Sequence, residues 1–269
     1  MSNKVTNPGR RRIEWRIPAC SVWGMKIFAC ITMLIQTVGI VIVEKGIMKS
    51  DSYADAVALS EAMDADSGLM KLGLVGGVME IIGGLAIPIF IFLLVEGFKN
   101  TSSFKRYAIA LFITALAAEI PYDYAEYGKL FYLDKQNPLW GMLVALIMLY
   151  FIKMLSNAEK MTRIIATAWV IICAVVWVYF MNIDGALVTI LLAAVFYLLD
   201  NKIGWKIFLG TIVLLLNALG SLVYVTGIFS FYPIVCYNEK RNLKCSKYVF
   251  YAIYPLQYLI LGIIARVIL

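Results

Sequence analysis

The sequence predicts an all-α fold: a polytopic membrane helical bundle of about nine transmembrane helices, or eight if one hairpin is a single span. Three observations carry this. Hydrophobic residues make up 62% of the 269 positions and charged residues only 15%, where a soluble domain carries about 25% charged. The apolar residues come in long blocks near the roughly 20-residue length that crosses a bilayer, not in the ~10-residue alternating strands of a barrel. Basic residues gather in the short segments between alternate blocks, as the positive-inside tendency requires.

Residues 1–21 are a basic segment with Lys4, Arg10, Arg11, Arg12 and Arg16. They are read as cytoplasmic, and residues 22–269 as one transmembrane bundle. Span one runs from about Val22 to Val43. It is too long for a signal-peptide core and lacks a small-residue cleavage site. The acidic stretch Glu44–Lys71 reads as a solvated outer loop. Val57, Leu59 and Met63 recur at helical spacing there and allow a short surface helix.

Span two covers about Leu72–Val95 and span three about Tyr107–Ile120, where Pro121 predicts a break. Span four covers about Leu139–Leu155, and spans five and six (Ile164–Phe180, Ala186–Leu199) flank the turn Met181–Gly185. The run Ile207–Tyr237 is too long for one helix. A split near Leu219–Gly220–Ser221 makes it a hairpin of two short spans. The last span is about Tyr248–Ile268. With this topology 18 of the 24 basic residues lie on inner segments. The chain is therefore expected in the cytoplasmic membrane of a bacterium, multi-pass, with its N-terminus inside.

The basic balance of +7 is absorbed by these loops, so no nucleic-acid partner is expected. There is no His, and the five Cys form no CxxC pair, so no metal site is expected. Cys20, Cys236 and Cys245 map to inner ends, where a disulfide is not expected. Without His there is no nucleophile–His–acid set, and the glycine runs lack the Lys and Ser/Thr of a phosphate loop. No soluble catalytic domain is appended, so any chemistry is expected inside the bundle or at its faces.

The polar residues inside the apolar blocks are then the informative ones, because a charged Asp at a helix centre costs about 2.5–3.5 kcal/mol. They centre on Ile81–Tyr124, two apolar spans joined by a short basic loop. Glu80, Glu119 and Asp123 are the candidate catalytic carboxylates. Glu96 is expected to pair with Lys99, Lys105 or Arg106. Gly73 and Gly77 form a GxxxG pattern, which serves helix packing or self-association. Tyr122, Tyr124, Tyr127, Trp140, Trp205, Tyr248 and Tyr251 read as an interfacial aromatic belt.

Several stretches together resemble the TraX family of integral membrane proteins. MKIFACITMLIQTVG is similar to the family's opening helix, which usually ends Ile-Asp-His-Ile-Gly. IIGGLAIPIFIFLLVEGF is similar to its Gly-Arg-x-x-Phe-Pro-x-Phe segment and Glu-Gly-Phe ending. KRYAIALFITALAAEIPYD is similar to the next helix with Glu-Ile-Pro-Phe-Asp, and KLFYLDKQNPLWGMLVAL to a loop and helix with Gln-Asn-Val-x-Phe-Thr. The end, CYNEKRNLKCSKYVFYAIYPLQYLIL, is similar to a Tyr-Asn-Gly-x-Arg loop and a final Tyr-Pro-x-His helix. The resemblance covers most of residues 25–269.

The family's namesake N-acetylates pilin, so the resemblance implies an acyltransferase scaffold, with acyl-CoA as donor if the chain is active. The departures fall on polar positions: Asp-His becomes Gln36-Thr37, Arg becomes Gly84, and the last-helix His becomes Gln257. A His suits general-base activation near neutral pH and an Arg holds a phosphate or carboxylate; the residues here do neither. The expected function is therefore a binding or assembly partner in the membrane that has lost the chemistry, with Gln36, Thr37, Glu96, Asn137, Tyr254 and Gln257 as binding candidates. An active divergent acyltransferase with a carboxylate base is the alternative, and a small-solute transporter or immunity factor the third class. The expected partners are the lipid bilayer and either a membrane protein or a second copy through Gly73/Gly77.

Overall fold

The computed structural model describes residues 20–238 and 247–269. The basic residues at 1–19 and Lys240, Arg241, Lys244 and Cys245 lie outside the described residues, as does the side chain of Tyr248. Six described helices are long and apolar enough to cross a membrane, and three shorter apolar ones join them. The fold is a helical membrane bundle.

A two-residue strand β1 (Cys20–Ser21) leads into α1 (Val22–Thr37), whose first turn is capped by Ser21 Oγ accepting from Gly24 N at 3.1 Å. The same rod continues as a π-helix over Val38–Ile47, so the first span is longer than its apolar run and carries Glu44 and Lys45. The acidic stretch that follows is not all loop. It holds α2 (Ala56–Ala65), capped by Asp55 accepting from Ala58 N at 2.8 Å.

The second span is one 33-residue rod, Ser67–Lys99, broken between α3 (Ser67–Gly83) and α4 (Ala86–Lys99). Pro88 brings no N–H to the first turn of α4, which frees carbonyls at the break. Two hydroxyls satisfy neighbouring ones: Thr226 Oγ1 donates to Ile81 O, and Ser230 Oγ to Leu85 O at 2.6 Å. In hydrocarbon, such repair is what makes a broken helix tolerable.

Helix α5 spans Phe104–Tyr127 and runs straight on past Pro121, against the break expected at Ile120. The turns beyond the proline bury Tyr122, Asp123 and Ala125. They pack on the last helix, where a Cβ at Gly262 would lie 3.0 Å from that of Ala125. That packing on the last helix holds α5 continuous through an internal proline, which by itself costs roughly 3 kcal/mol.

Helix α6 (Pro138–Met154) starts at an Asn137 cap with Pro at its first position, as helices prefer. Helix α7 (Lys160–Phe180) lies at the periphery with most of its apolar residues exposed, as a lipid-facing helix should. Helix α8 (Ala186–Leu198) and α4 form the centre, where Ile89, Phe98, Ile190 and Phe196 are fully enclosed. The long run after Trp205 divides where the sequence predicts. Helix α9 (Ile203–Ala218) ends before Leu219, and α10 (Val223–Thr226), a 3-10 turn (Gly227–Ser230) and α11 (Phe231–Val235) make an irregular return. Strand β2 (Tyr237–Asn238) then pairs in parallel with β1. Helix α12 (Lys247–Ile263) carries Pro255 inside and continues as a π-helix to Ile268.

Candidate functional site

A cavity of about 1060 Å³ runs between α1, α3, α4, α5 and α12. Its two ends differ in charge. Arg106 on the first turn of α5 lines one end with Lys26 of α1 and the polar loop Asn100–Ser103. Glu126 on the last turn of α5 lines the other, with Glu80, Asp184 and three tyrosines, Tyr122, Tyr254 and Tyr258. Twenty helical residues separate Arg106 from Glu126, about 30 Å at 1.5 Å per residue. The cavity therefore extends along most of the bundle.

At the basic end Glu96 makes the ion pair the sequence predicts. It accepts from Lys99 Nζ at 2.7 Å, and Lys99 also reaches Asp200 at 2.6 Å. The nearly buried Lys206 closes the network on Asp200 at 3.2 Å. Burial pushes the Asp200 carboxyl up, but the hydrogen bonds from Lys99 and Lys206 outweigh it and hold the group below the usual carboxylate range. The network ties α4 to the α8–α9 turn, and Glu96 brings it to the cavity wall.

Beside the tyrosines of the acidic end, the end of α1 meets α12. Gln257 Nε2 donates to Thr37 Oγ1 at 3.1 Å, and Thr37 donates on to Met33 O at 3.0 Å. Both side chains are buried. The Gln257 carbonyl oxygen has no hydrogen-bond partner, which costs about 1–3 kcal/mol for a buried acceptor. Gln36 packs over the bare Gly83. Gly84 faces α10 so closely that a Cβ there would collide with the Val223 carbonyl. The side-chain space at Gly84 is thus filled by backbone.

Of the candidate carboxylates, Glu80 lines the cavity, with the Glu44 carboxyl against it. Glu119 and Asp123 sit on one face of α5 and bind the outer loop instead. Glu119 Oε2 accepts from Trp140 Nε1 at 2.7 Å and from Asn137 Nδ2, and Asn137 also donates to Ala115 O at 3.0 Å. Asp123 Oδ2 accepts from Tyr132 N at 2.8 Å. Asn137 caps α6 through its amide oxygen Oδ1, accepting from Leu139 N at 3.0 Å. Gln36, Thr37, Glu80, Glu96 and Tyr254 thus share one cavity, with Gln257 against Thr37, while Glu119, Asp123 and Asn137 form a separate outer cluster.

Sequence reasoning missed Glu126, Asp184, Tyr122 and Tyr258 as cavity residues. Glu126 lies seven residues after Glu119, a helical repeat hidden by the expected break at Pro121. Tyr122 is not a belt residue. It is buried in a ring cluster, 5.3 Å from Tyr258 and 6.1 Å from Tyr127 between centroids. Tyr251 also faces the cavity.

No curated protein matches this chain, and no solved structure does. The family comparison does find a match: the model described as "TraX protein" aligns with residues 22–265, from the start of α1 to the end of α12 and the π-turn beyond it. The chain belongs to the TraX protein family.

Proposed function

We propose that this chain is a TraX-family membrane protein whose bundle works as a binding or assembly unit and no longer as an acyltransferase. One observation carries the reading: Gln257 and Thr37, at the two positions where family resemblance places histidine, hydrogen-bond to each other at 3.1 Å. An amide and a hydroxyl do not take up a proton near neutral pH as imidazole does. The filled space at Gly84 supports the same reading, since no anion-holding side chain fits there. The cavity remains, and with it a place for a ligand. The distribution of basic residues supports a position in the bacterial cytoplasmic membrane with the N-terminus inside.

The second reading is a divergent acyltransferase with acyl-CoA as donor. What favours it is Glu80, the one candidate base that lines the cavity, and a basic end able to meet phosphate. The deciding experiment is acetyl-CoA binding and hydrolysis by the purified protein in detergent, beside a family member that bears the His and Arg positions. The proposal expects turnover by that control alone. Turnover by this chain, lost in Glu80→Gln, establishes the second reading instead. Installing Asp and His at 36 and 37 alone is expected to restore nothing, because Gly84 and Gln257 stay changed.

A further inference from the structure

The acidic end of the cavity joins three features. Glu80, Glu126 and Asp184 all line it, from α3, α5 and the turn before α8. Tyr122, Tyr254 and Tyr258 wall it, with the Tyr254 and Tyr258 rings 5.0 Å apart. The Tyr254 hydroxyl is buried against that of Tyr258, and the Gln257 carbonyl oxygen, beside Thr37, is buried with no hydrogen-bond partner. Gln257 adjoins the lining through Thr37.

The nearby cations are committed elsewhere. Lys45, whose charge reaches Glu126, is held by Asp51 at 2.6 Å. Arg266 is held by Asp51 at 2.7 Å and by the carbonyls of Ala125 and Glu126, each at 3.1 Å. The Lys and Arg among the described lining residues, Lys26 and Arg106, are at the opposite end.

Carboxylates supply charge, tyrosine faces attract cations through their quadrupole, and a tyrosine or amide oxygen accepts an N–H. From this we infer that the acidic end of the cavity binds an organic ammonium ion. The inference rests on reading the cavity as a binding site. It adds the ligand class: a flexible primary ammonium, its N–H groups on the carboxylates and the Tyr254 oxygen, its methylenes against the tyrosine rings.

The test is calorimetric titration of the full chain in detergent with butane-1,4-diammonium, and with butane-1,4-diol as the neutral match. Saturable binding of the diammonium and none of the diol is expected. Glu126→Gln combined with Asp184→Asn, which removes two of the three carboxylates, weakens binding by about tenfold or more. Glu61→Gln, an exposed carboxylate on α2, leaves it unchanged.

Tyr254→Phe keeps the ring and the fold. It weakens the diammonium and spares tetramethylammonium, which has no N–H to donate. Equal binding of the diol, no saturable binding, or full affinity in the Glu126/Asp184 variant overturns the inference. Acetyl-CoA turnover by the same preparation would sink the non-catalytic reading and leave this one standing. Absent diammonium binding with no turnover would do the reverse.

Discussion

Gln257 on α12 and Thr37 at the end of α1 lie 220 residues apart in the chain, yet their side chains bond at 3.1 Å inside the bundle. The contact joins a hydroxyl that already donates to its own helix and an amide whose oxygen has no partner. Thr37→Val should leave the amide unmatched and lower stability by about 1–3 kcal/mol. Adding Gln257→Leu should recover part of that loss, because replacing both partners by apolar groups removes the unpaired donor. Thermal unfolding of the two single variants and the double variant in detergent measures the coupling. Strictly additive losses would contradict it.

Gly84 makes a sharper demand. Its neighbour is the Val223 carbonyl, which is backbone and cannot swing aside. Gly84→Ala is expected to lower the melting temperature, at about 1–3 kcal/mol for an overpacked site. Gly84→Arg is expected to fail to yield folded protein. A stable, well-expressed Gly84→Arg variant would show that α10 is free to leave the break.

The outer carboxylates should behave as fasteners. Glu119→Ala removes the acceptor of two side-chain donors and Asp123→Ala the acceptor of Tyr132 N. Both should raise protease cleavage within residues 128–137. Glu119→Gln, which keeps an oxygen acceptor, should do so less. Binding of any cavity ligand should change little, since neither residue lines it. A variant that loses ligand binding while its loop stays protected would reassign that carboxylate to the site.

Acid should loosen the outer surface in a defined way. Burial pushes the Asp51 carboxyl up, but the hydrogen bonds from Lys45 and Arg266 outweigh this and hold it below its ordinary value. A depressed folded pKa gives stability that is fully present above the unfolded value, near 3.9. It is lost as pH falls through the lower folded value. Wild type should therefore exceed Asp51→Asn in melting temperature from neutral pH to about 4. The difference should shrink as pH drops further. A difference that grows in acid would refute the pairing.

Gly77 offers a test of self-association. A Cβ there meets nothing within 4 Å, while Gly73 is covered by Met63 of α2. Gly77→Leu should leave the melting temperature unchanged. It should reduce any dimer seen by crosslinking in bilayers if the GxxxG face is a seam. An unchanged dimer fraction would exclude that face.

The apolar blocks made the bundle legible in the sequence, because hydrocarbon leaves the backbone few options. The division after Leu219 was legible for the same reason: the run is too long for one crossing and short for two. The rod through Pro121 was not, since a local steric rule is overruled there by α12, more than 120 residues away in the chain. That error hid Glu126 and with it the acidic end of the cavity. Glu96 with Lys99 was readable from three-residue spacing on one helix. Glu119 with Trp140, and Gln257 with Thr37, join different helices and have no local signature. Asp184 looked like an ordinary turn residue because nothing local tells which turn closes a cavity.

The first span is stitched to the last parts of the described chain: β1 to β2, Thr37 to Gln257, and Gly46 beneath Ala265. A ribosome adding roughly 5–20 residues per second needs about 10–45 s to travel from Thr37 to Gln257. Through that interval α1 can pack on α3 and α4 but lacks α12, and the wall carrying Tyr254 and Tyr258 is missing. The cavity thus closes only once α12 has been made, and a nascent chain stalled before α12 would present an open, acid-lined cleft to the surrounding membrane.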